Sequence, residues 1–501
     1  MAQRFRSNGQ ASGVPRGYAG QRVVILGAAR QGMALARFFL TEGAYVTLSD
    51  TRSAEQLSAV CAELQAFAAE HLPAGAQAPR LKFVLGDHPL SLLDDADLLC
   101  LSGGVSPAIP IVQAAIARGV RLSNDGQLTL CYCPVPVIGI TGSAGKTTTT
   151  TLVGLMLAAA GFTVHVGGNI GTPLLDKLGQ IGPGDKVVME LSSFQAELFS
   201  RSPAIAALLN ITPNHLDRHP SMSHYAAAKA NIVRFQDSGD TCVLSADDDT
   251  TGPWLRDGRC QIPAGEGQEA VYFPLQGTRL SFSLSGEVPA GAFLAGDALI
   301  WRRPCVGDAE ICRAGEVRLR GRHNLANILA ASCLAGAVGA DVAAMRRVAT
   351  TFAGVEHRLE ILRERNGVTW VNDSIATAPE RTSAALRSFT EPIVLLAGGR
   401  DKHLPWEQCA AVIQEQARCV ILFGEAAGLI NDALLKHTRE AEVQPVQITR
   451  CDDLTQAVAA ASEVAQPGDV VLLAPGGTSF DAYVDFAARG QHFRALVEAL
   501  A

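Results

Sequence analysis

The residue types best suited to chemistry sit in Gly139-Ile-Thr-Gly-Ser-Ala-Gly-Lys146-Thr147-Thr148. The segment follows an apolar run and opens a helical stretch over 149–160. Glycines in such a turn let backbone N–H groups close on phosphate oxygens, and a helix N-terminus adds free donors and a favourable dipole. Lys146 can reach terminal phosphates, and the hydroxyl of Thr147 or Thr148 can face Mg²⁺. The strict pattern G-x-x-x-x-G-K-[ST] fails, because residue 140 is Ile and the glycines fall at 139, 142 and 145. Strand, turn, Lys-Thr pair and helix nevertheless agree. A nucleotide-phosphate site is therefore expected at Gly142, Ser143, Ala144, Gly145, Lys146, Thr147 and Thr148.

Glu190 ends the apolar run 186–189. A carboxylate at the C-terminal edge of a parallel strand can face a nucleotide and ligate Mg²⁺. Ser192 and Gln195 follow at the same edge. Asn210-Ile-Thr-Pro-Asn-His215-Leu-Asp217-Arg218-His219 follows a second buried run, and His215 can take a metal or a phosphate. Lys229 lies in the helical run 225–233, which turns it back toward that crevice. A weaker turn, Gly27-x-Ala29-x-x-Gly32 followed by Asp50, fits a dinucleotide fingerprint or a uridine-diphosphate pocket equally well.

These groups need strands to carry them. Apolar runs at 23–26, 45–49, 98–101 and 135–140 alternate with helical stretches such as 33–40, which predicts a parallel sheet. Runs at 186–189, 205–210 and 241–244 predict a second sheet, and 369–371, 393–397, 419–423 and 470–474 a third. Residues 247–315 read as an irregular or antiparallel insertion. The apolar stretches around 152–164 and 328–338 read as buried helices, too short or too interrupted to span a bilayer. The predicted division is a mobile tail over 1–20 and domains over 21–131, 132–354 and 355–501. Those 501 residues suit about three domains. A net charge of −7 argues against a general nucleic-acid binder. The 12 cysteines form no paired Cys-x-x-Cys sites, which suits a reduced, cytoplasmic compartment. Cys131 and Cys133 are expected in strand packing. The first 20 residues carry no apolar signal core.

The joint pattern resembles the Mur ligase family. It is carried by Thr141-Gly-Ser-Ala-Gly-Lys-Thr147, Gly168-Asn-Ile-Gly171, Glu190-Leu-Ser-Ser-Phe-Gln195, Asn210-Ile-Thr-Pro-Asn-His-Leu-Asp217 and Ala227-Ala-Lys229. It continues through His323-Asn-Leu-Ala-Asn327, Glu356-His-Arg358, Asn372-Asp-Ser374, Gly398-Gly-Arg-Asp-Lys402 and Ser479-Phe-Asp481. The resemblance implies an α/β protein of three domains: a Rossmann-like uridine-binding domain, a central P-loop ATPase-type domain and a C-terminal Rossmann-like domain. It implies that ATP phosphorylates the carboxylate of UDP-N-acetylmuramoyl-L-alanine and that the amine of D-glutamate attacks the acyl phosphate. It further implies Mg²⁺ at Thr147 and Glu190, a second Mg²⁺ at His215 with Lys229, and a carbamate on Lys229. Asn327 and Arg358 are then contacts to the adenine and phosphates of ATP, and Asp373 to its ribose. Asn169 and His215 flank the substrate carboxylate, with Ser192 and Gln195 nearby. Arg30, Asp50, Thr51 and Arg52 face the uridine and its phosphates. Lys402, Thr377, Ser479 and Phe486 lie near the incoming glutamate. A monomer without membrane insertion is expected.

Three departures stand out. The family's usual Lys-Ala-Thr-Asn after Asn-Asp-Ser is Ile375-Ala-Thr377-Ala378 here, so one cation near the acceptor is missing. Ser-Pro-Gly becomes Ser102-Gly-Gly-Val105, and Ala144 stands where Asn is frequent. The first departure makes L-glutamate the alternative acceptor. A folylpolyglutamate synthase lacks the uridine domain that residues 23–50 imply. An NAD-dependent oxidoreductase has no use for Lys146, Glu190 and His215, and an idle scaffold has none for Lys229 and Asp373.

Overall fold

The computed structural model describes residues 17–71, 80–213, 219, 221–264, 269–303, 306–319, 321–401, 404–441 and 443–500. The chain folds into two compact units, Met1–Phe352 and Ala353–Ala501.

The first unit begins with a five-stranded parallel sheet. Its central strand Arg22–Leu26 lies between Tyr45–Asp50 and Leu98–Leu101, with Leu81–Leu85 and Arg121–Ser123 at the edges. Val23, Ile25 and Leu48 are buried on one face, and Val24, Leu26 and Leu99 on the other, so neither face is free for solvent. Tyr18, within the segment expected as a tail, packs edge-on against Phe39 at 5.0 Å between ring centroids and accepts a 3.0 Å bond from the Tyr132 hydroxyl. Residues 1–16 lie outside the described part.

A nine-stranded sheet follows in the same unit. Val137–Thr141 sits between Lys186–Glu190 and Ile205–Leu208, all parallel. The helices Lys146–Ala159 and Arg322–Ala337 cover one face, on Ile140, Val188 and Val243. The 152–164 stretch is only partly helical. The helix ends at Ala159, Gly161 turns the chain at φ +90°, and Val164 opens the next strand.

Residues 247–315, expected as an irregular or antiparallel insertion, add both parallel and antiparallel strands to this sheet. Thr278–Ser283 joins Thr241–Ser245 in parallel, and Gly291–Ala295, Ala298–Arg303 and Gly307–Arg313 extend the sheet to its edge. Their inner side chains, Phe282, Phe293 and Trp301 among them, are buried. The alternation was visible, but which sheet the strands join depends on partners far along the chain. Among the described residues, Arg259–Ile262 and Val271–Pro274 form a separate antiparallel pair. Cys131 and Cys133 are at the end of the helix Asp125–Tyr132, not in a strand.

The second unit holds a six-stranded sheet in the order Glu360–Arg365, Val368–Asn372, Val470–Gly476, Ile393–Gly398, Ala417–Phe423, Gln447–Arg450. Only its first strand is antiparallel. Among the described residues no helix is long and apolar enough to cross a membrane.

Candidate active site

The strands of the central sheet deliver the site at their C-terminal ends. Val137–Thr141 runs into the turn 142–145, and the helix begins at Lys146, earlier than its pattern suggested. Gly139 belongs to the strand, where a Cβ would meet the Pro203 ring at 2.3 Å. Gly145 is the residue the turn cannot replace. It sits at φ +82°, and a Cβ there would lie 2.3 Å from Asn327 Oδ1. Asn327 is thus packed against the turn from the next helix, its amide donating to Asn324 Oδ1 at 3.0 Å.

Asn210 clamps the turn from the other side. Its Oδ1 accepts from Ala144 N at 2.8 Å and its amide donates to the Ala144 carbonyl at 3.2 Å. Ser143 Oγ donates to the Thr212 carbonyl at 3.0 Å and accepts from Tyr225 at 3.1 Å. Lys146 Nζ lies over its own turn, donating to the carbonyls of Gly142 and Ser143 at 2.8 and 3.1 Å. Thr147 is nearly buried below it, and Thr148 is half-exposed.

Glu190 and Lys229 converge under this turn. Glu190 is 2% exposed, and its Oε1 accepts from Asn169 Nδ2 at 2.9 Å. Its Oε2 is buried with no hydrogen-bond partner among the described residues, a costly state for a carboxylate oxygen. Lys229, on the helix Met222–Arg234, is 1% exposed and donates to the Gly142 carbonyl at 2.9 Å. Burial holds its ammonium well below the usual lysine range; Lys146 pushes the same way and Glu190 opposes. Among the described residues no three His, Cys, Asp or Glu gather as a metal site. His215 lies outside the described residues.

A cleft of about 190 Å³ opens between the two sheets of this unit, lined by Arg30, Gln31, Ser102, Gly103, Asn169 and Gly171 among others. Arg30 spans it, donating to the Gly171 carbonyl at 3.0 Å. The Gly27 turn has φ +91°, and a Cβ on Gly32 would sit 1.8 Å from the Gly27 carbonyl oxygen. Both glycines are therefore required by close approach. Asp50 caps the turn, accepting from Ala28 N at 2.7 Å and from Arg52 Nη2 at 2.8 Å. Burial alone would raise its carboxyl, but the bonds from Arg52 and Ala28 outweigh this and hold it well below the usual range. Thr51 and Arg52 follow as exposed residues.

Ser192 and Gln195 form a capping box on a short helix. Gln195 is 1% exposed, and its amide donates to Asp125 Oδ1 at 3.1 Å. Its polar atoms are used inside the protein, so it supports the site from behind. Asp125, missed in the sequence because nothing marks a lone acid as buried, is pushed up to about 6 by burial, with Gln195 opposing.

In the second unit, Asp373, Thr377 and Ser479 lie beyond the C-terminal ends of neighbouring parallel strands. Asp373 accepts from Leu359 N at 3.0 Å, and burial raises it to about 6 against that bond and Arg358. Arg358 is flanked by His357 at φ +62° and Leu359 at φ +43°. Left-handed backbone at two non-glycine residues beside one arginine is a strain invisible before folding. Ser374 Oγ donates to the Phe486 carbonyl at 2.8 Å, tying two segments of the expected acceptor region together. Arg489, also missed, is 1% exposed and donates to the Ser374 carbonyl at 3.0 Å and the Gly477 carbonyl at 3.2 Å. Burial lowers it to about 10, with Asp481 opposing. Lys402 lies outside the described residues.

Three family models match successive parts of the chain. They are "Mur ligase MurD-like, N-terminal domain" over 21–124, "Mur ligase middle domain" over 140–335 and "Mur ligase, glutamate ligase domain" over 357–477. The UDP-N-acetylmuramoylalanine–D-glutamate ligase of Symbiobacterium thermophilum is 41% identical over 96% of this chain and 98% of its own. The protein of that name from Acetivibrio thermocellus is 40% identical over 84% and 86%. A crystal structure of UDP-N-acetylmuramate-alanine ligase from Thermotoga maritima aligns over 95% of this chain and 99% of its own. Its TM-score is 0.51 at 18% identity, a likeness of fold alone.

Proposed function

The chain belongs to the Mur ligase family, and from that premise we propose that it joins D-glutamate to UDP-N-acetylmuramoyl-L-alanine at the expense of ATP, a step of peptidoglycan precursor synthesis. The observation that carries this reading is one arrangement in the first unit. A lysine-bearing glycine turn, a buried strand-end carboxylate and a buried lysine meet beside a cleft with a second glycine turn.

The substrate carboxylate attacks the γ-phosphorus of ATP, the bond to the ADP oxygen breaks, and an acyl phosphate forms. The glutamate amine then attacks the acyl carbon. Phosphate leaves with the C–O electron pair, a proton departs from nitrogen, and the amide remains. Such transfer depends on positioning and on neutralising charge. Lys146 supplies a cation at the turn, and backbone N–H groups at the start of its helix face the phosphates. Thr147 and Glu190 would hold Mg²⁺, which when bound would draw off charge from the transferring phosphoryl oxygens; the buried Glu190 Oε2 suits that partner. Asn169 orients Glu190 and reaches the cleft where the alanyl carboxylate arrives. Arg30, Asp50, Thr51 and Arg52 take the uridine diphosphate. In the second unit Arg358 and Asp373 take the nucleotide, and Thr377, Lys402, Ser479 and Phe486 the glutamate.

The reading extends to a second Mg²⁺ at His215 and to a carbamate on Lys229. A neutral amine is the form that adds CO₂, and the setting of Lys229 favours that form. A ¹³C resonance from ¹³CO₂ that is present in the native protein and absent in Lys229→Ala checks it. We also infer a cytoplasmic protein, since the nucleotide substrates are cytoplasmic, and a monomer, as the family resemblance implies.

Phosphate release from ATP with UDP-N-acetylmuramoyl-L-alanine tests the whole reading. Stimulation by D-glutamate is expected. Stimulation by L-glutamate alone would reassign the acceptor pocket around Ile375, and no release with either would reject the ligase.

A further inference from the structure

Behind the site lies a chain of polar groups that the reaction scheme does not use. His219 is 1% exposed and Ser193 3% exposed. His219 Nε2 is 2.9 Å from Ser193 Oγ, and its Nδ1 is 3.0 Å from His224 Nδ1. His224 Nε2 faces Glu197 Oε1 at 3.5 Å. The His219 ring is stacked on Phe194, with an interplanar angle of 2° and centroids 5.1 Å apart. Ser193 is three residues beyond Glu190, and His224 is five before Lys229. The two imidazoles therefore bridge the segment that carries the buried carboxylate to the helix that carries the buried lysine.

We propose that His219 is a positioning residue for the ligation, holding Glu190 and Lys229 in register through the Ser193–His219–His224–Glu197 chain. The proposal rests on the ligase reading above. With both rings neutral every group is satisfied. Ser193 donates to His219 Nε2, His219 Nδ1 donates to His224 Nδ1, and His224 Nε2 donates toward Glu197. Among the described residues, titratable groups packed on the pair include Glu197 on the short helix after Ser192 and Tyr225 on the Met222–Arg234 helix, with Lys229 further along it. The strands Val137–Thr141 and Ile205–Leu208, which also pack on that helix, bring no titratable side chain. Arg259–Ile262 brings the buried Cys260, and Arg259, which lies over the Tyr272 ring.

The test is kcat against KM for the full chain with ATP, UDP-N-acetylmuramoyl-L-alanine and D-glutamate. His219→Phe keeps the ring stack and removes both bonds. Its kcat is expected to fall roughly tenfold to a hundredfold with little change in either nucleotide KM, since misplacement by about 1 Å has costs of that order. His224→Gln presents an amide that can donate or accept to His219 at any pH. It should retain kcat, the conservative amide restoring what His219→Phe loses. Ser193→Ala gives a second break in the chain should His219→Phe not fold, and it should lower kcat in the same sense. Wild-type kcat in the folded His219→Phe or Ser193→Ala protein, or a kcat in His224→Gln as low as that of His219→Phe, would overturn the proposal. An inactive wild type would instead defeat the ligase reading on which it rests.

Discussion

Lys146 and Lys229 both donate to the Gly142 carbonyl, at 2.8 and 2.9 Å, yet their settings divide their roles. Lys146 is half-buried at a helix start, where a permanent cation can meet phosphate. Lys229 is enclosed and pushed toward neutrality by burial and by Lys146. Lys146→Ala should lower kcat by roughly 10²–10³-fold, the usual cost of one charge-stabilising group. Steady-state phosphate release measures it, and near wild-type kcat would remove the turn from the mechanism. Lys229→Arg forces a permanent charge into the same enclosure. It should abolish turnover and cost about 3 kcal/mol in urea unfolding, the scale of an uncompensated buried charge.

Turns and helices set the next level of constraint. Gly145 combines φ +82° with Asn327 Oδ1 at 2.3 Å from a would-be Cβ. Gly145→Ala is thus strained twice, by about 1–3 kcal/mol, and should weaken ATP binding more than binding of the uridine nucleotide. Isothermal titration with each ligand separates the two. Gly32→Ala should show the reverse preference, because its Cβ would strike the Gly27 carbonyl at 1.8 Å and deform the turn at the cleft. Equal losses for both ligands in either variant would contradict the assignment of one turn to each nucleotide.

Across the whole molecule, two effects should be visible in unfolding. Met1–Phe352 and Ala353–Ala501 each have their own core, so calorimetry should resolve two transitions. UDP-N-acetylmuramoyl-L-alanine should raise the one belonging to the first unit, by about 2.7 kcal/mol at a hundredfold excess over Kd. The second effect is pH dependence. Asp125 is raised by burial from 3.8 to about 6, so the folded state binds the extra proton between those values. Its contribution to stability is fully present below its unfolded pKa and is lost as pH rises through about 6. Asp125→Asn should remove that slope, as urea unfolding at pH values on either side will show. Asp50 has the opposite sign, stabilising above its ordinary range and losing that in acid.

Much of the site was legible because its chemistry is local. A strand followed by Gly142, Gly145 and Lys146, or by Glu190, places a turn or a carboxylate at a sheet edge whatever lies far away. Periodicity likewise revealed the strands around 23–26, 205–210 and 393–397, since burial on both faces demands continuous apolar runs. Folding alone decided that Gly139 stays in its strand against Pro203, that 278–313 extends the central sheet, and that Gln195 turns inward to Asp125. It alone decided which acids and bases lose water: Asp125, Lys229, His219 and Arg489 carry no local mark of burial. Chain order specifies neighbours a few residues apart. Desolvation and hydrogen-bond satisfaction are properties of neighbours that only the tertiary fold brings together.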